Sequence, residues 1–187
     1  IKLLPLGLDL DPALCQRNMH RLLNGAKENI ADPFVRIDME GSDYTQRTLD
    51  LFYQLWEESY RNVGVVIQSY LRRSADDVEK LIQTGARVRL CKGAYKEPET
   101  VAFLDKAEVD ANFIRLMQRL LEEGNYPGIA THDEKMIAAT KQFARDKDIP
   151  PDRYEFQMLY GIRRDLQTQL VKEGYRMRVY TPFGNHW

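Results

Sequence analysis

Cysteine is scarce in this chain, with only Cys15 and Cys91 in 187 residues. Two cysteines cannot build a disulfide framework, which fits a reducing compartment. No C-x-x-C, H-x-H or H-E-x-x-H spacing occurs among the cysteines and the three histidines, which argues against a barrel metallohydrolase. Long apolar runs are also missing: nothing approaches the roughly 20 residues of a membrane-spanning helix, and the opening residues do not read as a signal peptide. Neither sign of charge dominates, since 27 Lys+Arg against 28 Asp+Glu leave a net −1. There is thus no electrostatic basis for binding nucleic acid or an anionic membrane. No two of the 11 glycines lie two or five residues apart, so neither G-x-G-x-x-G nor a P-loop is present.

What remains is a well-mixed globular composition, 43% hydrophobic and 29% charged, arranged as an alternation. Short β-branched runs at Ile1–Leu4, Phe34–Met39, Val63–Tyr70, Arg87–Cys91, Gly128–Thr131, Tyr154–Leu159 and Tyr175–Tyr180 read as strands. Segments of helical periodicity lie between them. Asp11-Pro12 is an N-cap with Pro at the first helical position, and Leu49, Phe52, Tyr53, Trp56 and Tyr60 recur at three- and four-residue steps. Ser74 with Asp77 reads as a capping box, and Gly85 as a stop. Further helices are expected at about Glu99–Glu123, Asp133–Lys147 and Arg163–Glu173. Seven strands alternating with six helices imply βα units on a parallel sheet. A complete (βα)8 barrel needs about 250 residues. The expected fold is therefore α/β, an incomplete TIM-like (βα)8 barrel of about seven strands in a single domain over residues 1–187. The chain opens on Ile1 and stops at Trp187 straight after a strand-like segment, so both ends read as cut.

Function in such a barrel clusters at the C-terminal ends of the strands. Alternation puts Arg36, Asp38 and Glu40 on one face and Val35, Ile37 and Met39 on the other. Arg87, Arg89 and Cys91 share a parity, Lys92 ends that strand, and Thr131-His132-Asp133 end the next. Parallel strands buried on both faces should be nearly all apolar, yet these carry Asp38, Gln68, Arg89 and Gln157. Such residues must be ion-paired, solvated in the barrel mouth or bound to a ligand. Structural pairing, for instance of Asp38 with an arginine across the floor, competes with a ligand site for each residue singly; the set together favours the site. Cys91 reads as a small buried hydrophobe and His132 as a capping or hydrogen-bonding residue unless functional. Arg163-Arg164 reads as exposed or paired with Asp165. Lys92, at a strand end, would suit a Schiff-base aldolase if desolvation or a neighbouring cation lowered its pKa. A non-catalytic barrel scaffold is a third reading. Residue chemistry alone does not separate an aldolase from a cofactor-dependent redox enzyme.

The motifs IKLLPLGLDLD, VRIDMEGSDYT, VGVVIQSYLRRS, VRLCKGAYKEP, IATHD, EFQMLYGIRRDLQ and YRMRVYTPFG, in this order, resemble the proline dehydrogenase barrel of monofunctional bacterial enzymes and their bifunctional relatives. The resemblance implies FAD-dependent oxidation of L-proline to Δ1-pyrroline-5-carboxylate, with electrons passed to a membrane quinone. It implies a cytoplasmic protein, with peripheral contact at the inner membrane and no transmembrane segment. Carried over by motif, Asp38 and Arg89 are expected to be catalytic. Met39, Gln68, Lys92, Gly93, Ala94, Thr131 and His132 are expected to contact the flavin, with Gly93 allowing close backbone approach. Lys2 is expected to pair with the proline carboxylate, and Tyr95, Leu159 and Tyr180 to enclose its ring. Cys91 departs from the valine common in the family. The family's preceding strand and its final helix, which carries paired arginines for the substrate carboxylate, are expected to lie outside these residues.

Overall fold

Asp11 and Pro12 start the first helix as their types dictate: the aspartate carboxylate accepts from Ala13 N at 2.9 Å and proline occupies the first turn. Helix α1 then runs Pro12–Asn29, burying Cys15, Met19 and Leu23. The computed structural model describes residues 1–182; His186 and the rest of the tail lie outside the described residues. After α1 come β1 (Val35–Ile37), α2 (Ser42–Glu57), β2 (Val63–Gln68), α3 (Ser74–Thr84), β3 (Val88–Cys91) and α4 (Lys106–Glu123). They are followed by β4 (Gly128–Ala130), α5 (Glu134–Asp146), β5 (Glu155–Leu159), α6 (Arg164–Lys172) and β6 (Met177–Tyr180). All strand pairings are parallel and follow chain order, β1 to β6, so the sheet curls into a half-barrel.

Period-two alternation divides the sheet cleanly. Val63, Val65, Ile67, Leu90, Ile129 and Phe156 are buried at 2% exposure or less in the main core, where helices cover the outer face. Arg36, Arg89, Glu155, Gln157 and Arg178 take the other parity and face the barrel interior. Phe52 is fully buried, with Tyr53 and Trp56 rings packed 5.5 Å from its own, so that expected cluster is helix-to-sheet packing. Each such buried side chain stabilises by about 1.5–3 kcal/mol relative to exposure.

Several expectations are corrected. The first of the seven strands is not one: residues Leu4–Leu6 form a 3-10 turn. Only Ile1 makes a strand-like pair of bonds, donating to Arg36 O and accepting from Asp38 N, both at 2.7 Å, before Pro5 diverts the chain. The helix expected from Glu99 begins at Lys106, because Asp105 supplies the cap and residues before it are tied to the segment between β2 and α3 by an isolated antiparallel Leu71–Ala102 bridge. The Ser74–Asp77 capping box does not form. The Ser74 hydroxyl donates to Gln68 O at 2.5 Å, and Asp77 takes both Nε and Nη2 of Arg73. Gly85 closes α3 as expected, at φ 73°.

Two glycine substitutions test this packing. A Cβ at Gly64 would lie 2.5 Å from the Arg87 carbonyl oxygen and 2.6 Å from the Phe34 ring, whereas one at Gly25 meets nothing within 4 Å. Gly64→Ala is expected to destabilise by about 1–3 kcal/mol through overpacking. Gly25→Ala, in a helix interior, is expected to stabilise by about 0.5–1 kcal/mol. Urea unfolding of both variants measures this, and shifts of the same sign would contradict the packing described.

Candidate active site

Strands of one sheet present their C-terminal ends together, and here those ends enclose a cavity of about 620 Å³. All thirteen site residues expected from the sequence line it: Lys2, Asp38, Met39, Gln68, Arg89, Lys92, Gly93, Ala94, Tyr95, Thr131, His132, Leu159 and Tyr180. Val66, Ala130 and Met158 add apolar wall. Met39 reaches the cavity although its parity matches Val35 and Ile37, because β1 ends at Ile37 and alternation no longer applies beyond it.

The inner wall is one hydrogen-bonded chain. Arg89 Nη1 donates to Asp38 Oδ1 at 2.6 Å, with side chains only 14% and 13% exposed. Arg89 Nε donates to Gln157 Oε1 at 2.5 Å, and Gln157 Nε2 donates to Glu155 Oε1 at 2.6 Å. Arg178 grips Glu155 with Nε at 2.5 Å and Nη2 at 2.8 Å. Burial would raise the Glu155 carboxyl, but the Arg178 fork, with Gln157 and Tyr126 as further donors, holds it below the usual carboxylate range. On Asp38's other side, the Tyr180 hydroxyl lies 3.4 Å from Oδ2, and the Arg89 guanidinium stands 5.5 Å over the Tyr180 ring. Below, Arg36 donates to the carbonyls of Val65 and Arg87. Burial, with the like charge of Arg89, pushes Arg36 down to about 9.

The rim carries two more ion clusters. Lys2 Nζ lies 3.0 Å from Glu40 Oε2, which also accepts from the Tyr95 hydroxyl at 2.5 Å. Partial burial opposes the Lys2 charge, yet the bonds to Glu40 and Tyr95 outweigh it and raise its pKa. Lys92 Nζ donates to Asp110 at the start of α4 and, at 2.7 Å, to Asp133, which also caps α5. Two carboxylates on this ammonium are the opposite of the desolvated or cation-flanked lysine that a Schiff base requires. His132 Nε2 accepts from Leu159 N at 2.9 Å; burial, with the charge of Arg163, lowers its pKa and keeps the ring neutral for that role. Gly93 has φ 109°, and a Cβ there would lie 2.3 Å from the Tyr70 ring, so close packing against Tyr70 already demands glycine.

Glu40, Glu155, Asp110 and Asp133 complete the site without having been given a role in it, and the sequence marks Gln157 only as one of four polar residues in strands expected to be apolar. Glu40, Glu155 and Gln157 were visible by parity or strand position; Asp110 sits among ordinary helix charges and had no signal. Burial pushes the Cys91 thiol up to about 11, as suits a packing residue. Arg163 opens α6 at φ 49° and bonds Asp165 and Glu134 at 2.7 Å, as its exposed reading implied. No group of three metal-ligating side chains forms among the described residues.

The Lys92 cluster has a pH signature. Asp133 is held below its ordinary value chiefly by the Lys92 hydrogen bond; burial opposes the shift at Asp110, but the Lys92 and Lys106 bonds prevail. Carboxylates depressed in the folded state contribute stability above their unfolded pKa and lose it as pH falls through the folded one. The stability gap between wild type and Lys92→Met should therefore be flat above about pH 5 and shrink below about pH 4. Urea unfolding from pH 3 to 7 measures it; a gap independent of pH would show that the cluster carries no such linkage.

Comparison with known proteins bears on the chain as a whole. The chain is 46% identical to proline dehydrogenase 2 of Bacillus subtilis (strain 168) over 187 residues, all of this chain and 61% of that protein. It is 48% identical to a proline dehydrogenase of Deinococcus radiodurans over 171 residues, 91% of this chain and 54% of that one. A crystal structure of proline utilization A from Bdellovibrio bacteriovorus, inactivated by N-propargylglycine, superposes with TM-score 0.87 at 32% identity, covering 99% of this chain and 22% of that one. The chain thus spans about three fifths of the length of the curated Bacillus relatives it matches. The proline dehydrogenase family model covers residues 1–187, and with the half-barrel and its polar inner wall in place, the chain belongs to that family.

Proposed function

We propose that these residues form the core of a flavin-dependent enzyme that oxidises L-proline to Δ1-pyrroline-5-carboxylate and passes the electrons to a quinone. Arg89 carries the reading. Asp38 holds its Nη1 and Gln157 its Nε, leaving Nη2 without a partner among the described residues, at the wall of the cavity. A guanidinium fixed on two sides and open on the third is a preorganised donor for charge that develops during reaction. The cavity also fits a flavin ring. Met39, Val66 and Ala130 supply apolar wall, and Gln68 Oε1 is a buried acceptor with no partner among the described residues, suited to a ring N–H. Met39, Gln68, Lys92, Gly93, Ala94, Thr131 and His132 would hold FAD, which supplies the two-electron acceptor for the C–N oxidation.

The protein's own part is placement. Lys2 offers an ammonium to the substrate carboxylate, with Glu40 and Tyr95 fixing where that ammonium sits. Tyr95, Leu159 and Tyr180 enclose the pyrrolidine ring. Asp38 and Tyr180 keep Arg89 from swinging away. A quinone acceptor is lipid-soluble, so the reading brings a cytoplasmic protein into peripheral contact with the inner membrane; no helix among the described residues is long and apolar enough to cross it.

Purified full-length enzyme is expected to carry a flavin spectrum that proline bleaches, and to reduce a dye in proportion to proline. Arg89→Met should raise the barrier by about 2–4 kcal/mol while affecting flavin content less. A colourless protein trapped on Lys92 by borohydride with a carbonyl substrate would replace this reading with the aldolase. Wild-type turnover in Arg89→Met would remove the role assigned to Arg89.

A further inference from the structure

Arg89 on β3 and Glu155 on β5 face the interior two strands apart, and the strand between them places Gly128 opposite both. A side chain at 128 would project between the two charges. Instead, the amide of Gln157 occupies that space: a Cβ built on Gly128 would lie 2.4 Å from Gln157 Nε2 and 2.9 Å from its Cδ. Gly128 has no left-handed φ, so its backbone does not require glycine. Glycine weakens a strand interior, and its presence marks a place where another group must come close.

The amide's orientation is determined. Its oxygen accepts from Arg89 Nε and its nitrogen donates to Glu155 Oε1. The flipped amide would set N–H against N–H and oxygen against carboxylate. Glu155 cannot rotate to accommodate the flip, because Arg178 holds both of its oxygens.

We infer that Gln157, seated in the space vacated at Gly128, is the positioning residue that aims the open edge of Arg89 into the cavity. Gln157 lines the cavity, but its amide is committed to Arg89 on one side and Glu155 on the other, so it acts through Arg89. The inference rests on the proposed flavin site for its effect on turnover, but not for its geometry.

The test uses full-length enzyme with Gln157→Leu, Gly128→Ala and both together. Gly128→Ala removes no polar group; it displaces the amide by volume alone. In flavin-free protein, NMR follows hydrogen exchange at Arg89 Nε, and in loaded enzyme kcat, proline KM and the flavin midpoint potential are measured. Each single variant should accelerate Arg89 Nε exchange and lower kcat by about tenfold or more, with proline KM within about threefold and a shifted potential. The double variant should be no worse than Gln157→Leu, since both act on one amide. Gln157→Leu that melts like wild type, keeps Arg89 Nε protected and turns over within about twofold of wild type would overturn the inference. Should the wild-type enzyme carry no flavin, the cofactor reading fails and the exchange measurement still decides this one. Should Gly128→Ala not fold, Gln157→Leu decides alone.

Discussion

The Asp38–Arg89 ion pair is the constraint to which the rest of the interior is fitted. Two charges taken largely out of water lose several kcal/mol of solvation each, and their attraction offsets this only when the remaining donors and acceptors are also satisfied. Arg89 therefore needs Gln157, Gln157 needs Glu155 to fix its amide, and Glu155 needs the fork of Arg178. The chain of partners runs across β1, β3, β5 and β6, so strands that share no backbone ladder are coupled through side chains. Tyr180 on β6 even reaches Asp38 beyond β1, where no strand pairing joins the two among the described residues. The interior behaves as one polar unit; loss of any member strands another.

The rim is organised by a second rule, that carboxylates gather at helix starts. Glu97, in the loop after β3, accepts from both Ser42 N and Ser42 Oγ at the start of α2, and from the Tyr70 hydroxyl at 3.3 Å. Burial opposes the shift, but the Ser42 and Tyr70 donors hold Glu97 below the usual range. Two residues earlier Tyr95 is bound to Glu40, and Lys92 is bound to Asp110 on α4 and to the cap of α5. The loop that walls the cavity is thus pinned to α2, α4, α5 and the residues after β1. In the proposed reaction this stiffness fixes placement, where an error of about 1 Å can cost on the order of a hundredfold in rate.

Much of this was legible in residue order. The parity of VRIDME placed Arg36 and Asp38 together, and polar residues in strands that should be apolar marked Asp38, Gln68, Arg89 and Gln157 as a set; all but Arg36 line the cavity. Pairing and ligand binding were weighed as alternatives, yet the geometry shows pairing that leaves Arg89 one free edge, so the two are compatible. Glu40 was on the right face but carried no role, because nothing local reveals a partner 38 residues away at Lys2. Asp110 was illegible for the same reason: a lone acid on an exposed helix looks like solvation until β3 brings Lys92 beside it. The Ile1–Leu4 strand failed because its apolar residues serve a tight turn over α1, with Leu3 fully buried.

The absence of a glycine-rich phosphate fingerprint has a structural counterpart in how charge is distributed around the cavity. Such fingerprints recruit backbone amides at a helix start, a donor set free of counter-charge. Here almost every cation on the wall already has a carboxylate: Lys2 has Glu40, Arg89 has Asp38, Lys92 has Asp110 and Asp133. An anionic group entering beside Lys2 would not meet a bare cation; it must share an ammonium with a buried acid, which penalises anions that arrive at the wrong angle. Recognition would then depend less on long-range attraction than on the directions of donors already held in place. Beneath the wall, Arg36 is a partly buried cation whose hydrogen bonds among the described residues go to carbonyl oxygens below the Asp38–Arg89 pair. Its charge attracts the Asp38 carboxylate and repels Arg89, so the barrel floor helps set the electrostatic field around that pair.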